Sequence, residues 1–353
     1  MSLPNLDQSF VIGSIHTSIG PVPRVSSSLL WADHWGAFKA RWGIGRMNYT
    51  IEPGIYALGE PDEKSPVLVT ANYKMSFDRL RETLPGFNAW ILVLDTKGIN
   101  VWCAAGKGTF GTTELVRRIE SSDLTQIVSH RELILPQLSG PGVSAHEVKR
   151  LSGFKVIYGP IRAADLPNFL DAGLKATPEM RLKTFTTRER FVLIPVELIA
   201  ALKAGLITIA ILFLLSLLGR AGQTWVMALS HGLFSGLAVL TAILAGAVLT
   251  PLLLPWLPGR AFSVKGLSLG LLSAAILLVF RWGDWTTMAN SLEILAWLLL
   301  IPALSAYLAM NFTGASTYTS LSGVKREMRW ALPLEIGVAI LGFGLWLGSN
   351  FIA

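Results

Sequence analysis

Two hydrophobic rhythms divide the chain. In residues 1–190 short apolar runs of strand length alternate with stretches of helix length, and beyond them the apolar runs lengthen. Val67-Leu68-Val69 and Trp90 to Leu94 read as buried strands, with a helix from Met75 to Leu84 between them that ends at Pro85-Gly86. Thr112 to Ile119 reads as a helix, and Ile127-Val128 and Leu133 to Leu135 as short strands. A turn at Ser139-Gly140-Pro141-Gly142 leads to a helix at Ser144 to Leu151, then a strand at Val156-Ile157-Tyr158 and a last helix at Ala163 to Leu170. Such alternation predicts an α/β layer structure with a largely parallel sheet. Residues 1–52 form an N-terminal segment without clear rhythm, in which Trp31, Trp35 and Trp42 are expected at core or interface positions. The α/β domain is assigned to 53–180, a basic linker to 181–195 and an all-α transmembrane domain to 196–353.

A membrane span needs roughly 20 mostly apolar residues. About five meet that measure, near 196–218, 225–250, 262–280, 289–310 and 332–352. Lys265 is expected to snorkel to the interface at the start of the third. Arg181, Lys183, Arg188, Arg190 and Lys203 flank the first span. Arg260 and Lys265 lie between the second and third, and Lys325, Arg326 and Arg329 between the fourth and fifth. The alternate loops carry Arg220 and Arg281. The positive-inside rule then predicts a multi-pass protein of the cytoplasmic membrane, its N-terminal domain in the cytoplasm and Ala353 outside. The first 20 residues show no secretory signal pattern, which agrees. Glu293 and Glu335 are the candidate intramembrane carboxylates and are expected near span ends. The spacings Gly232-x-x-x-Gly236 and Gly266-x-x-x-Gly270 are read as close helix packing. The connector Asn311 to Ser322, rich in Thr and Ser, reads either as a solvated loop or as a contact for the soluble half.

Composition agrees with a membrane protein: 52% of the 353 residues are hydrophobic and 15% charged, with a mean hydropathy of +0.51. The net charge of +7 arises largely beside the apolar runs, so no nucleic-acid partner is expected.

Cys103 is the single cysteine of the chain. It cannot close an internal disulfide or build a four-thiolate cluster. It sits in Ile-Asn-Val-Trp-Cys-Ala-Ala-Gly-Lys-Gly-Thr-Phe-Gly, residues 99–111, between a strand and a helix. Ligands of parallel sheets bind beyond the carboxyl ends of the strands. Thr70, directly after the first strand, and Cys103, after the second, belong there. Gly106-Lys107 is not a phosphate loop, because Val101 stands where the motif needs glycine and Gly108 where it needs Ser or Thr. His130 and His146 carry no local sign of a base for a catalytic dyad, and no spacing supports a metal site built from scattered ligands. What remains is a thiol at the opening of a Gly-rich helical turn, where unpaired N–H groups favour an anion. The small residues Ala104, Ala105 and Gly106 let a large flat ligand approach, and the thiolate suits a soft metal held in a cofactor.

At these residues the chain resembles the mercury-methylation corrinoid protein family (the HgcA family). That family's signature is Asn-Val/Ile-Trp-Cys-Ala-Ala/Ser-Gly-Lys, and Asn100 through Lys107 matches it at every position. The related large subunit of the corrinoid iron–sulfur protein differs in having its own cluster cysteines, no membrane spans and no cysteine beneath cobalt. The resemblance implies a cytoplasmic corrinoid-binding α/β domain followed by five spans. It puts Asn100, Val101, Trp102, Cys103, Ala104, Ala105, Gly106 and Lys107 on a cap helix under the corrin ring. Cys103 is then the lower axial ligand of cobalt, and Val101, Trp102, Ala104 and Ala105 shape the ring contact. Thr70 corresponds to a position near the upper face. Gly140 to Ser144 are assigned to the nucleotide tail on loop placement alone.

The implied reaction is transfer of a methyl group from the methyl-Co(III) corrinoid to Hg(II), forming methylmercury. The implied partners are a ferredoxin-like protein with two 4Fe–4S clusters (HgcB type) as electron donor, a methyl-donor methyltransferase of a folate system, and an anaerobic setting. Two alternatives stay open. One is a corrinoid methyl carrier for another acceptor, of the acetyl-CoA pathway type. The other is a membrane transporter or sensor with a ligand-binding cytoplasmic domain.

Overall fold

The computed structural model describes residues 3–218, 224–279, 287–315 and 321–351. Arg220, Arg281 and Ala353, used above for orientation, lie outside them, as do residues 316–320 of the Thr- and Ser-rich connector. The chain forms two compact units, Met1–Lys183 and Thr184–Ala353.

In the first unit β1 (Val11–Thr17) and β2 (Gly20–Val25) make a hairpin, followed by α1 (Trp31–Arg41) and β3 (Gly54–Leu58). Next come β4 (Val67–Ala71), α2 (Lys74–Glu82), β5 (Ala89–Leu94), α3 (Val101–Lys107), α4 (Thr112–Ser121) and α5 (Leu124–Ile127). The unit closes with β6 (Glu132–Leu135), α6 (Ala145–Ser152), β7 (Lys155–Tyr158) and α7 (Leu166–Asp171). Among the described residues the strands form one seven-stranded sheet in the order β1-β2-β3-β5-β4-β6-β7. The pairs β2–β3, β4–β5, β4–β6 and β6–β7 are parallel; β1–β2 and β3–β5 are antiparallel. The α/β, largely parallel expectation is met.

Strands β3, β4 and β5 are buried along their whole length because helices cover both faces, so they read as unbroken apolar runs. Period-two alternation still sorts their side chains. Trp90, Leu92 and Leu94 enter one core with Val67, Val69, Phe110 and Leu115. Ala89, Ile91 and Val93 enter the other with Leu68, Phe77 and Phe169.

Three local expectations change. Ile127-Val128 is not a strand, since Leu124–Ile127 is a helical turn whose apolar residues face the core. The N-terminal segment contributes β1 and β2 to the sheet, β2 pairing with β3 at Arg24↔Ala57 and Val25↔Leu58. Their rhythm is masked by the irregular register at Gly13 and by Pro21 and Pro23. Trp31 and Trp35 are exposed, because α1 packs through Asp33, Gly36 and Ala40 instead. Asp33 anchors that helix: its carboxylate accepts from Leu30 N at 2.9 Å and Arg81 Nη2 at 2.8 Å, and pairs with Lys74. Asp78 joins the cluster through Lys74 (2.7 Å) and Arg81 (2.8 Å). Burial opposes the charge on Asp33, but the hydrogen bonds from Lys74 and Leu30, with the Lys74 and Arg81 charges, hold its carboxyl below the usual range.

The second unit contains α8 (Thr187–Leu218), α9 (Trp225–Ile243) continued by a π-helical segment Leu244–Leu249 and α10 (Thr250–Leu253), α11 (Phe262–Val279), α12 (Met288–Asn311) and α13 (Leu321–Phe351). Among the described residues five helices are long and apolar enough to cross a membrane. Small residues set their spacing. A Cβ on Gly266 or Gly270 would lie 2.5–2.6 Å from the α12 backbone at Ser305 or Pro302, and one on Gly246 would lie 2.6 Å from Ser305 O. Gly232 likewise sits against Phe213.

Two cations that the charge pattern assigned to the interface are buried in this unit. Arg190 donates to Leu252 O at 3.1 Å, and Lys265 to Leu254 O at 2.8 Å and Leu257 O at 2.7 Å. Lys265 therefore caps carbonyls of the segment that follows α10. Glu293 is buried near the start of α12 and shares a 2.7 Å hydrogen bond with His231 Nδ1. Glu335 lies near the middle of α13, a helix that starts earlier than the apolar pattern suggests.

Candidate functional site

The carboxyl ends of β4 and β5 are tied together by one side chain. Asn72, just past β4, is buried, and its Oδ1 accepts from Thr96 N (3.0 Å), Thr96 Oγ1 (2.9 Å) and Gly98 N (3.1 Å). This holds the turn after β5, where Lys97 and Gly98 both adopt left-handed backbone (φ 58° and 70°). A Cβ on Gly98 would lie 2.8 Å from Thr50 Cγ2 and 3.1 Å from Met47 O, so only glycine fits under that segment. Asp95 closes the turn by accepting from Lys97 N at 3.1 Å. Burial works against its charge, but hydrogen bonds from the Lys97 ammonium and backbone hold its carboxyl below the usual range.

The turn launches α3. Asn100 is its N-cap, with Oδ1 accepting from Cys103 N at 2.9 Å, and Gly108 ends it in the left-handed conformation (φ 80°). Helical spacing gives the seven residues two faces. Ala104 and Ala105 are buried in the sheet-side core, with Val101 partly buried against it. Trp102 and Cys103 are half-buried, and Gly106 and Lys107 exposed. The helix thus presents Cys103 on its outward side. Ala104 and Ala105, expected to shape a ring contact, face the core.

Loop 140–144 supports α3 from below. A Cβ on Gly142 would lie 2.2 Å from Phe110 O and 2.9 Å from Ala105 Cα. Gly142 O accepts from Thr112 N at 3.2 Å, and Thr112 Oγ1 from Ser144 N at 2.9 Å. Tyr158 donates to Val143 O at 2.6 Å, and burial raises its phenol above the ordinary range. Within the loop, Gly140 and Pro141 remain exposed.

Thr70 lies inside β4 rather than after it, on the face of Leu68, and is 3% exposed. It lines a cavity of about 150 Å3 at the carboxyl ends of β4, β6 and β7, together with Val101, Ser76, Leu135, Pro136 and Gly159. The structure therefore brings Thr70 and Val101 to one cavity; Cys103 does not line it.

The histidines are occupied elsewhere. His130 bonds Ser65 O at 3.0 Å and accepts from Glu132 N, while His146 pairs with Ser144 Oγ at 3.0 Å. Among the described residues no group of His, Cys, Asp and Glu could hold a metal ion. A metal at Cys103 must therefore arrive with most of its ligands supplied by a cofactor. The end of the helix leaves room for a large flat one: a Cβ added to Gly106 or Gly108 meets nothing within 4 Å. Thr70 lines a second opening at the same sheet edge. Asn72 was missed by sequence reasoning, because a lone Asn after a strand carries no pattern.

Residues 45–170 match the family CdhD, described as the CO dehydrogenase/acetyl-CoA synthase delta subunit. The chain is 34% identical over 124 residues to the acetyl-CoA decarbonylase/synthase complex subunit gamma of Methanopyrus kandleri, covering 34% of this chain and 26% of that protein. It is 32% identical over 130 residues to subunit gamma 2 of Methanosarcina thermophila, covering 36% and 27%. With the gamma subunit of Methanocaldococcus jannaschii it shares 30% identity over 127 residues, covering 35% and 26%. The chain spans about a quarter of the length of these relatives. The matched residues 45–170 include the Asn100–Lys107 segment, whereas mercury methylation enters only through the resemblance of Asn100–Lys107.

Proposed function

We propose that Met1–Lys183 binds a corrinoid and carries a methyl group for transfer, and that Thr184–Ala353 anchors it in a membrane. The observation that carries this reading is the lone, half-buried Cys103 on the outward face of a capped helix at the ligand-binding edge of the sheet. When bound, the corrinoid supplies a cobalt centre able to accept and release a methyl group. The thiol of Cys103 would hold the cobalt from the protein side, and Asn100 fixes the backbone that presents it. Trp102, Gly106 and Lys107 border the ring on the same side, and Thr70 and Val101 meet the cofactor at the cavity. Gly140 and Pro141, exposed at the tip of their loop, border the nucleotide tail.

The relatives' names support an acceptor of the acetyl-CoA pathway type, and this is the leading reading. Hg(II) is the second, favoured by the match of Asn100–Lys107 to the mercury-methylation signature. In either case a chain with one cysteine holds no cluster of its own. Electrons then come from a ferredoxin-like protein with 4Fe–4S clusters, and methyl groups from a folate-linked methyltransferase. The charge pattern supports a cytoplasmic location for the α/β unit.

The test is anoxic reconstitution of the full chain with a methylated corrinoid. Transfer to an acetyl-CoA synthase-type protein, without methylmercury from Hg(II), supports the leading reading. Methylmercury formation selects the second. Cys103→Ala is expected to keep the corrinoid while changing its visible spectrum through loss of sulfur coordination. Cys103→Thr behaves similarly, since a hydroxyl is a weak donor to cobalt. An unchanged spectrum and full activity in Cys103→Ala overturn the ligand assignment. Absence of any corrin spectrum overturns the whole reading in favour of a transporter or sensor.

A further inference from the structure

The Thr184–Ala353 unit contains a cavity of about 340 Å3 bordered by α11, α12 and α13. Leu271, Leu298 and Val338 give it hydrocarbon walls. Two polar groups line it unsatisfied. Glu335 is 9% exposed, and neither carboxyl oxygen has a hydrogen-bond partner. Ser263, 4% exposed, leaves its hydroxyl unpaired. Trp330 lines the same space.

Among the described residues no cation pairs with Glu335. The Lys265 ammonium, on the adjoining helix, is spent on the carbonyls of Leu254 and Leu257. Lys325, Arg326 and Arg329, earlier on α13, are exposed and do not line the cavity. Glu327 on the same helix accepts from Ser263 N at 2.7 Å, adding negative charge. A buried carboxyl with no partner is costly in an apolar setting, and within membrane helices such a group marks a site. The missing partner must bring a positive charge or donor on an apolar body. An indole beside a carboxyl is a setting that favours an ammonium group.

We propose that this cavity binds an alkylammonium, its ammonium held at Glu335 beside Trp330 and Ser263, its hydrocarbon against Leu271, Leu298 and Val338. The site is independent of the corrinoid reading.

The experiment uses the full chain in dodecyl maltoside, which is uncharged, with radiolabelled n-octylammonium followed by equilibrium dialysis. One saturable site per chain is expected, weakened at least tenfold in Glu335→Gln and retained within threefold in Glu335→Asp, with octanoate of equal chain length not bound. Two sources of such a cation are separated by doping the micelles. Competition by phosphatidylethanolamine, but not by phosphatidylglycerol, assigns the site to a lipid headgroup; competition by neither assigns it to a free amine. Leu271→Trp, which narrows the cavity away from the carboxyl, also weakens binding and guards against a misfolded Glu335→Gln. Equal binding to wild type, Glu335→Gln and Leu271→Trp, or equal binding of octanoate, overturns the proposal.

Discussion

The side-chain oxygen of Asn72 accepts both the backbone N–H and the hydroxyl of Thr96, at 3.0 and 2.9 Å. One amide therefore couples the end of β4, which carries Thr70, to the turn that launches the cysteine helix. Asn72→Leu is expected to leave the N–H groups of Thr96 and Gly98 unpaired in a buried setting. The loss is on the order of 3 kcal/mol of stability. Because Thr96 and Gly98 set the direction of α3, corrinoid affinity should fall as well. Denaturant unfolding and a corrinoid titration check both parts, and unchanged affinity in a folded variant contradicts the coupling.

The cap at Asn100 has a separable effect. Asn100→Ala removes the acceptor for Cys103 N and should cost about 1 kcal/mol, while Asn100→Asp keeps the cap. Amide hydrogen exchange within Val101–Lys107 should accelerate in the alanine variant and stay near wild type in the aspartate variant. Equal exchange in all three would show that core packing of Ala104 and Ala105 alone holds the helix.

Much of this edge was legible in the sequence. Strands β4 to β7 announced themselves as short apolar runs, and the cysteine segment was found because its residue types are unusual together. The face of each residue on α3 was not legible, since seven residues show too little periodicity to phase a helix. Ala104 and Ala105, which the resemblance puts at the ring, enter the core, and no local periodicity announces it. Hairpin β1–β2 was hidden by Gly13, Pro21 and Pro23, and the pair His231–Glu293 by a sequence separation of 62. Contacts between distant residues leave no local trace.

The α1 anchor makes stability depend on acid pH. Folding lowers the pKa of Asp33 below its model-peptide value of 3.8, so the unfolded chain binds a proton there more readily. The stabilisation is complete above that value and is lost as pH falls through the folded pKa, below about pH 4. Asp33→Asn should be destabilised by about 3–5 kcal/mol at pH 7, because Lys74 and Arg81 lose a buried partner. Its stability should also fall less steeply than wild type below pH 4, with Asp95 contributing the slope that remains. Thermal unfolding of both proteins between pH 2.5 and 7 measures the difference; parallel curves would remove Asp33 from the linkage.

Two glycines beside the cysteine helix should respond in opposite ways to the same added methyl group. At Gly142 a Cβ would lie 2.2 Å from Phe110 O and 2.9 Å from backbone atoms of Ala105, none of which can move without displacing α3. Gly142→Ala is therefore expected to destabilise by about 1–3 kcal/mol, the usual range for overpacking. At Gly106 a Cβ meets nothing within 4 Å, and alanine is the better helix former. Gly106→Ala should stabilise the cofactor-free protein by about 0.5–1 kcal/mol. If a flat ring lies against the cysteine face, that same methyl group occupies the ring's contact distance, and corrinoid affinity falls while stability rises. A merely structural role for the helix gives no reason for the two quantities to diverge. Unfolding of the cofactor-free protein, paired with a corrinoid titration on Gly106→Ala, therefore separates them, and affinity that held or rose would move the ring away from this face.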